Sequence, residues 1–463
     1  MIPCAKYAFK YVLEDELSLY SRMAKFLLIG FDKLEGRNVY ECREHLKRTQ
    51  WLKKEELERL QLSKLRALLK HAYDNVPHYH EAFDKAHFKP ERIKCLDDLS
   101  KVPVLNRSTL CKDPESLVAR DFPRKALVCR HTSGTTAAPV SFYRSKRDVS
   151  WGIAAELRGY SWAGYEVGHK LAMIWQVDPR LGKTIVFKFR NLLNRNRYFD
   201  VNAMSERSMM AFAKEVRRLK PDFIRGYPGS TSIFATFVSR NLDLGYNLKG
   251  VFTSGETLLP HYRKRIEEAF GCKVFDYYAT SEVSHVAAQC GHHEGLHIFQ
   301  ENVLLELVSD DDEPVSGGKE GRILMTNLHS SAVPFIRYDV GDTGKMYSDE
   351  CSCGRELPLF RPIGRTYERF LTGDGSFTVL RDFQTVFEEM PIQDFQVVQE
   401  SINEIVVRIV AEPGYSQSHT DFILKNLRMR GKANIRVELT DSMLPGKSGK
   451  IGHVVSKIPN VYT

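Results

Sequence analysis

Thr132-Ser133-Gly134-Thr135-Thr136 places hydroxyls on four of five positions around one glycine. Such a turn can wrap a phosphate with backbone N–H and side-chain O–H donors. Its spacing and its lack of a lysine separate it from the G-x-x-x-x-G-K-[ST] nucleotide loop. Further on, Tyr277-Tyr278-Ala279-Thr280-Ser281-Glu282 follows a strand ending at Asp276. A carboxylate at the C-terminal edge of a strand in an α/β sheet stands where ligands bind. Glu282 there suits Mg²⁺ beside a triphosphate, because Mg²⁺ takes one or two carboxylates plus phosphate oxygens. In Arg337-Tyr338-Asp339-Val340-Gly341-Asp342, Gly341 allows a tight turn and Asp342 can accept two hydrogen bonds from a ribose diol. Gly364-Arg365 sets an arginine after a flexible residue. Lys450, in a Gly-Lys-Ser-Gly-Lys loop, can bring a point charge to a developing phosphate or carboxylate oxygen. Singly, each segment also has a plain structural account: a polar turn, a helix-start glutamate, a hairpin, a linker arginine, a solvated lysine.

A second chemistry lies in the cysteines. Cys290 and His297 stand upstream of Cys351-Ser352-Cys353. Three thiolates and an imidazole make a closed, four-coordinate structural Zn²⁺ site, and Gly354 helps the C-x-C pair turn tightly. His292 or His293 could replace His297. Cys4, Cys42, Cys95, Cys111, Cys129 and Cys272 lack metal spacing and read as packing residues. His131, His285 and Tyr227 adjoin these motifs and are candidates for lining an acid pocket.

The elements that must position these groups read as α/β. Arg43 to Tyr73 carries leucines among Lys, Arg and Glu, as amphipathic helices do, and Pro77 closes that stretch. Helices are expected over Ser205–Leu219 and His261–Phe270, with another capped by Ser230 and running through Val238. Strands are expected at Asp222–Ile224, Gly250–Thr253 and Lys273–Asp276. This alternation from about 120 to 285 predicts a largely parallel sheet. Consecutive strands such as Val303–Leu307 and Gly321–Thr326 predict a β-rich part after Gly295. The expected domains are 1–364, with a helical region over about 1–115, and a small α+β unit over 365–463.

The chain has 463 residues, 27% charged, 43% hydrophobic and 11% aromatic. Those fractions exclude a disordered or collagen-like chain. The net charge, 67 − 58 = +9, is mild for this length and leaves room for an anionic ligand. Nine cysteines are too few for a disulfide scaffold. With no long apolar run near the start, and with Glu14, Asp15 and Glu16 where a signal core would fall, the expectation is a cytoplasmic protein with no membrane partner. No dense Lys/Arg run with interleaved aromatics points to nucleic acid.

In their order, the five segments resemble the adenylate-forming (acyl-CoA synthetase) superfamily. Tyr278-Ala279-Thr280-Ser281-Glu282 resembles its Tyr-Gly-x-Thr-Glu motif. Asn75-Val76-Pro77-His78-Tyr79, Val102-Pro103-Val104-Leu105, Arg225-Gly226-Tyr227-Pro228, Ser254-Gly255-Glu256, Leu296-His297-Ile298 and Pro334-Phe335-Ile336-Arg337-Tyr338 look like the phenylacetate–CoA ligase and CapK-like branch. The likeness covers about residues 45 to 458, and this branch also resembles the Cys…His…Cys-x-Cys arrangement. It implies a large adenylating domain with mainly parallel sheets and a β-rich part, followed by a small mobile C-terminal domain. It implies an ATP-dependent ligase that makes an acyl-adenylate and passes the acyl group to a thiol such as CoA, or to an amine. By that resemblance Thr132–Thr136 hold phosphates, Glu282 holds Mg²⁺, and Lys450, Glu282 and Thr135 are the catalytic groups. Ser254, Gly255, Glu256, Asp276, Tyr277, Tyr278 and Ser281 border the nucleotide, and Asp342 with Arg365 holds the ribose. Three departures are present. Ala137-Ala138-Pro139 stands for the family's Gly-Lys-Pro, Tyr367 for an aspartate, and Leu371-Thr372-Gly373-Asp374-Gly375 for a glycine-rich stretch. They leave open an amide- or ester-forming ligase that does not use CoA. The alternative from another class is a non-catalytic nucleotide- or nucleic-acid-binding protein. The acid would be drawn in by segments such as Trp151–Trp162 and Tyr227–Ser232.

Overall fold

The computed structural model describes residues 18–131, 141–176, 184–315, 318–365, 369–371, 377–379, 386–387, 390–428, 434–443 and 450–458. The hydroxyl segment Thr132–Thr136, Ala137–Pro139, Tyr367, Thr372–Gly375 and Gly446–Gly449 lie outside the described residues.

Five helices open the described chain: α1 (Leu19–Leu34), α2 (Val39–Thr49), α3 (Lys54–Asn75), α4 (Pro77–Lys85) and α5 (Arg107–Lys112). Glu56 at the third position of α3 accepts the Lys53 N–H at 3.0 Å, satisfying one of the donors a helix start leaves over. Val76 is extended, as a residue before proline tends to be. Pro77 then starts α4 at its first position, where its missing N–H costs nothing. Thus Pro77 both ends one helix and begins the next. Leu65, Leu68, Leu69 and Ala72 of α3 fill one core with Tyr79, Phe83, Phe335 and Tyr338.

A hairpin follows, β1 (Leu127–His131) against β2 (Ser141–Ser145), then α6 (Lys146–Ser161). The main sheet contains β3 (Leu171–Trp175), β4 (Asn196–Asp200), β5 (Phe223–Gly226), β6 (Gly250–Ser254), β7 (Val274–Thr280), β8 (Ser284–Gln289), β9 (Leu296–Ile298), β10 (Val303–Val308), β11 (Glu320–Asn327), β12 (Tyr338–Met346) and β13 (Leu359–Arg365). Their order is β10-β11-β12-β13-β9-β8-β7-β6-β5-β3-β4. The half from β4 to β7 is parallel. From β8 to β10 it is antiparallel. The β-rich part expected after Gly295 is therefore the continuation of the same sheet.

Helices α7 (Ile185–Leu193), α8 (Glu206–Leu219), α9 (Pro228–Asn241) and α10 (Pro260–Phe270) connect the parallel strands. Met209, Phe212, Ala213 and Val216 give α8 one buried face at helical spacing. They pack with Ile224, Phe234 and Val251. Helix α9 starts at Pro228 with Tyr227 before it. Ser230, expected as its cap, lies inside the first turn and is buried. A proline at the first helical position already fixes the starting φ, so the cap shifts back to Tyr227.

Beyond β13 come the short pair β14 (Arg369–Leu371) and β15 (Phe377–Val379). A second sheet contains β16 (Ile392–Ser401), β17 (Glu404–Ala411), β18 (Asn434–Leu439) and β19 (Val454–Ser456), in the order β18-β17-β16-β19, with α11 (Gln417–Arg428) between β17 and β18. Phe395, Val397, Val407, Ile409, Ile423 and Leu427 form its core, and Leu259 and Tyr262 at the start of α10 complete that core. The small unit is thereby packed onto the large one.

Candidate active site and metal centre

The parallel strands β3, β5, β6 and β7 end together, and their carboxyl ends carry the expected residues. Asp276 Oδ1 accepts from Thr253 Oγ1 at 2.9 Å, and the Asp276 N–H donates to Gln289 Oε1 at 3.0 Å. Burial pushes the Asp276 carboxyl up to about 6. Successive strand residues face opposite ways, so Tyr277 does not join its neighbours. Its ring packs with Phe252 and Tyr160 on the other face. Tyr278 Oη donates to Asp342 Oδ2 at 2.6 Å.

Asp342 stands opposite Arg365 across β12 and β13, with Arg365 Nε 3.6 Å from Oδ1. Burial pushes the Asp342 carboxyl up, against the pull of Arg365, Tyr278 and Lys450. Gly341, expected in a turn, sits within β12 at φ 73°. Its left-handed conformation offsets the strand locally, and its N–H donates to Asp339 Oδ1 at 2.8 Å. Glu282 occupies the turn between β7 and β8, and Ser281 beside it is exposed. Tyr338 Oη donates to Glu282 Oε1 at 3.1 Å. Burial pushes this carboxyl up as well, while Tyr338 and Arg107 hold it down. A buried carboxylate with so few compensating contacts is suited to a cation.

Lys450 reaches the same end of the sheet from the small unit. Its Nζ is 5.7 Å from the centroid of the Tyr227 ring. Gly255, at φ +88°, lies between them: a β-carbon there would meet the Tyr227 ring at 3.1 Å and the Lys450 stem at 3.6 Å. Ser254, at the end of β6, is buried. Glu256 does more than border the site. Its Oε2 accepts the Gly229 N–H at 3.0 Å, and its Oε1 accepts the N–H of Ile451, next to Lys450, at 2.6 Å. The motif reading missed this link, which joins residues far apart in sequence. It also missed the bond from Tyr338 to Glu282, and a buried contact in which Tyr262 Oη donates to Asp394 Oδ1 at 2.8 Å and meets His453 Nε2 at 3.1 Å. No local pattern signals these partners.

The cysteine cluster assembles fully. Ligand atoms of Cys290, His297, Cys351 and Cys353 all lie within 4.8 Å of one another. Cys290 and Cys351 Sγ are 3.6 Å apart, and Cys353 Sγ is 3.4 Å from His297 Nε2. His297 Nδ1 donates to the Leu357 carbonyl at 3.1 Å, leaving Nε2 as the ligand atom. His292 Nδ1 instead meets Ser352 Oγ at 2.8 Å, and His293 packs against Phe275. The four-atom spacing and the N/S donor set fit a tetrahedral Zn²⁺.

The arrangement brings together two buried carboxylates, Asp342 with its arginine and Glu282 with its tyrosine, and Lys450 from the C-terminal part of the chain. Among the described residues no helix is long and apolar enough to cross a membrane.

Comparison with known proteins adds the following. Residues 370–457 match the CapK C-terminal domain family. Phenylacetate-coenzyme A ligase of Thermus thermophilus is 28% identical over 327 residues, covering 68% of this chain and 72% of that protein. Protein CapK of Staphylococcus aureus is 22% identical, covering 83% of this chain and 86% of its own. A crystal structure of 2-hydroxyisobutyryl-CoA ligase in the postadenylation state, in complex with R3-HIB-AMP, superposes with a TM-score of 0.73. It is 20% identical and covers 88% of this chain and 91% of that one. These are the folds and relatives that this chain is similar to.

Proposed function

We propose that this chain, which is similar to phenylacetate-coenzyme A ligase and to CapK, is an ATP-dependent carboxylate-activating ligase of the adenylate-forming kind. A carboxylate oxygen of the acid attacks the α-phosphorus of ATP. The bond to the β-phosphate oxygen breaks, pyrophosphate leaves, and acyl-AMP forms. The thiol sulfur of coenzyme A then attacks the acyl carbon and loses its proton, and AMP departs. The observation that carries this reading is the buried Asp342 carboxylate, held by Tyr278 and Arg365, at the end of the sheet where Lys450 lies over the Tyr227 ring.

In this reading Asp342 and Arg365 hold the ribose, and Asp276 and Tyr278 flank the base with Ser254 and Gly255. Tyr277 contributes through its main chain. Lys450 neutralises charge between carboxylate and α-phosphate, where a preorganised cation acts most strongly. Thr132–Thr136 grip the outer phosphates. Glu282 would hold Mg²⁺, which supplies charge neutralisation at the phosphates. Cys290, His297, Cys351 and Cys353 would hold a structural Zn²⁺, in keeping with a reducing, cytoplasmic setting. Residues Leu371–Gly375, in place of the glycine-rich stretch, favour an amine as the second reading of the acceptor. AMP release with CoA against amines separates the two.

The test is a split between half-reactions. Lys450→Ala should lower acid-dependent ATP–pyrophosphate exchange by roughly 10²–10³-fold, the scale for losing one preorganised charge-stabilising group. It should leave the CoA-dependent consumption of supplied acyl-AMP near wild type. Full exchange in the variant would remove Lys450 from the mechanism.

A further inference from the structure

Behind Lys450 the structure holds a column of rings that ends in an ionic cluster. Tyr227 stacks on Trp175 with centroids 4.0 Å apart and planes at 23°. The Arg225 guanidinium lies 4.9 Å from the centroid of the Trp175 ring. Arg225 then reaches Glu156 Oε1 at 2.6 Å. His285 Nε2 reaches the same oxygen at 3.1 Å, and Tyr160 Oη donates to it at 3.0 Å. The three partners thus share one carboxylate oxygen. The other, Oε2, has no partner among the described residues.

A purely structural Arg–Glu pair of this kind tends to be bidentate and closed. This one is neither. Arg225 Nε is buried without a partner, and so is His285 Nδ1. The side chains of Arg225, Glu156 and His285 keep 18%, 15% and 15% of their surface open, although they lie between α6 and the strands β5 and β8. Nε2 faces Glu156, so Nδ1 is the ring nitrogen left to meet a ligand, and it accepts in the tautomer that carries its proton on Nε2. The cluster therefore offers two unused acceptors, Glu156 Oε2 and His285 Nδ1.

We propose that this cluster is the far end of the acid-binding pocket, and that the substrate is a carboxylic acid carrying a hydrogen-bond donor, a hydroxyl or an amine, remote from its carboxylate. The inference rests on the carboxylate-activation reading, which sets the reacting carboxylate at Lys450 and leaves the rest of the acid to run along Tyr227 and Trp175. An acid without the donor would cut Glu156 Oε2 off from water and leave His285 Nδ1 without a partner, the situation in which a site discriminates strongly.

The experiment measures acid-dependent ATP–pyrophosphate exchange with matched pairs: phenylacetate and 4-hydroxyphenylacetate, cinnamate and 4-hydroxycinnamate, benzoate and 4-aminobenzoate. Wild type should favour the substituted member of at least one pair by about tenfold or more in kcat/KM. His285→Phe and Glu156→Gln should each erase that ratio, chiefly through KM for the substituted acid, with unfolding midpoints confirming that both variants fold. The proposal is overturned if the unsubstituted member is equal or better in every pair, or if the ratio survives both substitutions. Exchange with no acid at all would instead sink the carboxylate-activation reading, and this proposal with it.

Discussion

Asp276 illustrates what a single residue can reveal. Burial pushes its carboxyl up to about 6, from an ordinary carboxylate value of about 4. The folded chain therefore holds more protons than the unfolded chain between those two values. Stability falls as pH rises across that window and levels off above it. Ligand binding runs the other way if the ionised carboxylate accepts from the amino group of adenine. ATP affinity should then rise about tenfold from pH 5 to pH 7 in wild type relative to Asp276→Asn. Calorimetric titrations at several pH values check this, and the variant cancels the titration of ATP itself. Parallel pH curves for the two proteins would remove Asp276 from base recognition. The sequence made Asp276, Tyr277 and Tyr278 one frame. The alternation of β7 splits it, because burial of the Tyr277 ring with Phe252 and Tyr160 wins over proximity in sequence.

At the scale of elements, the residue types named the cysteine–histidine cluster and the folding of the strands selected its histidine. His297 sits in β9, opposite Leu359 of β13, while Cys290 directly follows β8 and Cys351 and Cys353 precede β13. The cluster thus ties two sheet connections that are about sixty residues apart in sequence. Spacing alone left His292 and His293 as rivals, because only strand pairing determines which histidine faces the sulfurs. The same limit applies to Glu282, whose motif is plain in sequence while its partner Tyr338 is brought in by a distant strand. The expected result is one zinc per chain by metal analysis. Cys351→Ser should lose the zinc and lower the unfolding midpoint by roughly 5 °C or more, a cost of a few kcal/mol in a domain of this size. An unchanged midpoint in a zinc-free variant would mean that the cluster does not hold the sheet.

At the scale of the molecule, the small unit is read most directly from its seams with the large one. Leu259 and Tyr262 enter its core. Arg265 donates to the Ile392 carbonyl at 2.6 Å and pairs with Glu412 at 2.7 Å. Glu256 spans the two units, holding the N–H groups of Gly229 and Ile451 on its two oxygens. Lys450 is adjacent to that second bond, so the carboxylate holds the main chain next to the lysine. The sequence placed a boundary near Gly364 but carried no sign of these contacts, since those between the units join residues before 271 to residues beyond 385. Glu256→Gln keeps the size of the side chain, yet its amide nitrogen cannot accept, so one of the two bonds is lost. A hydrogen bond to a charged group contributes about 1.5–3 kcal/mol, and losing it should slow acyl-AMP formation by roughly tenfold or more. Single-turnover rates of each half-reaction are the measurement. Under the proposed role of Lys450 in the first step alone, adenylation should slow while transfer from supplied acyl-AMP to the acceptor does not. Equal slowing of both halves would instead place Glu256 in the nucleotide site itself, with no part in holding the two units together.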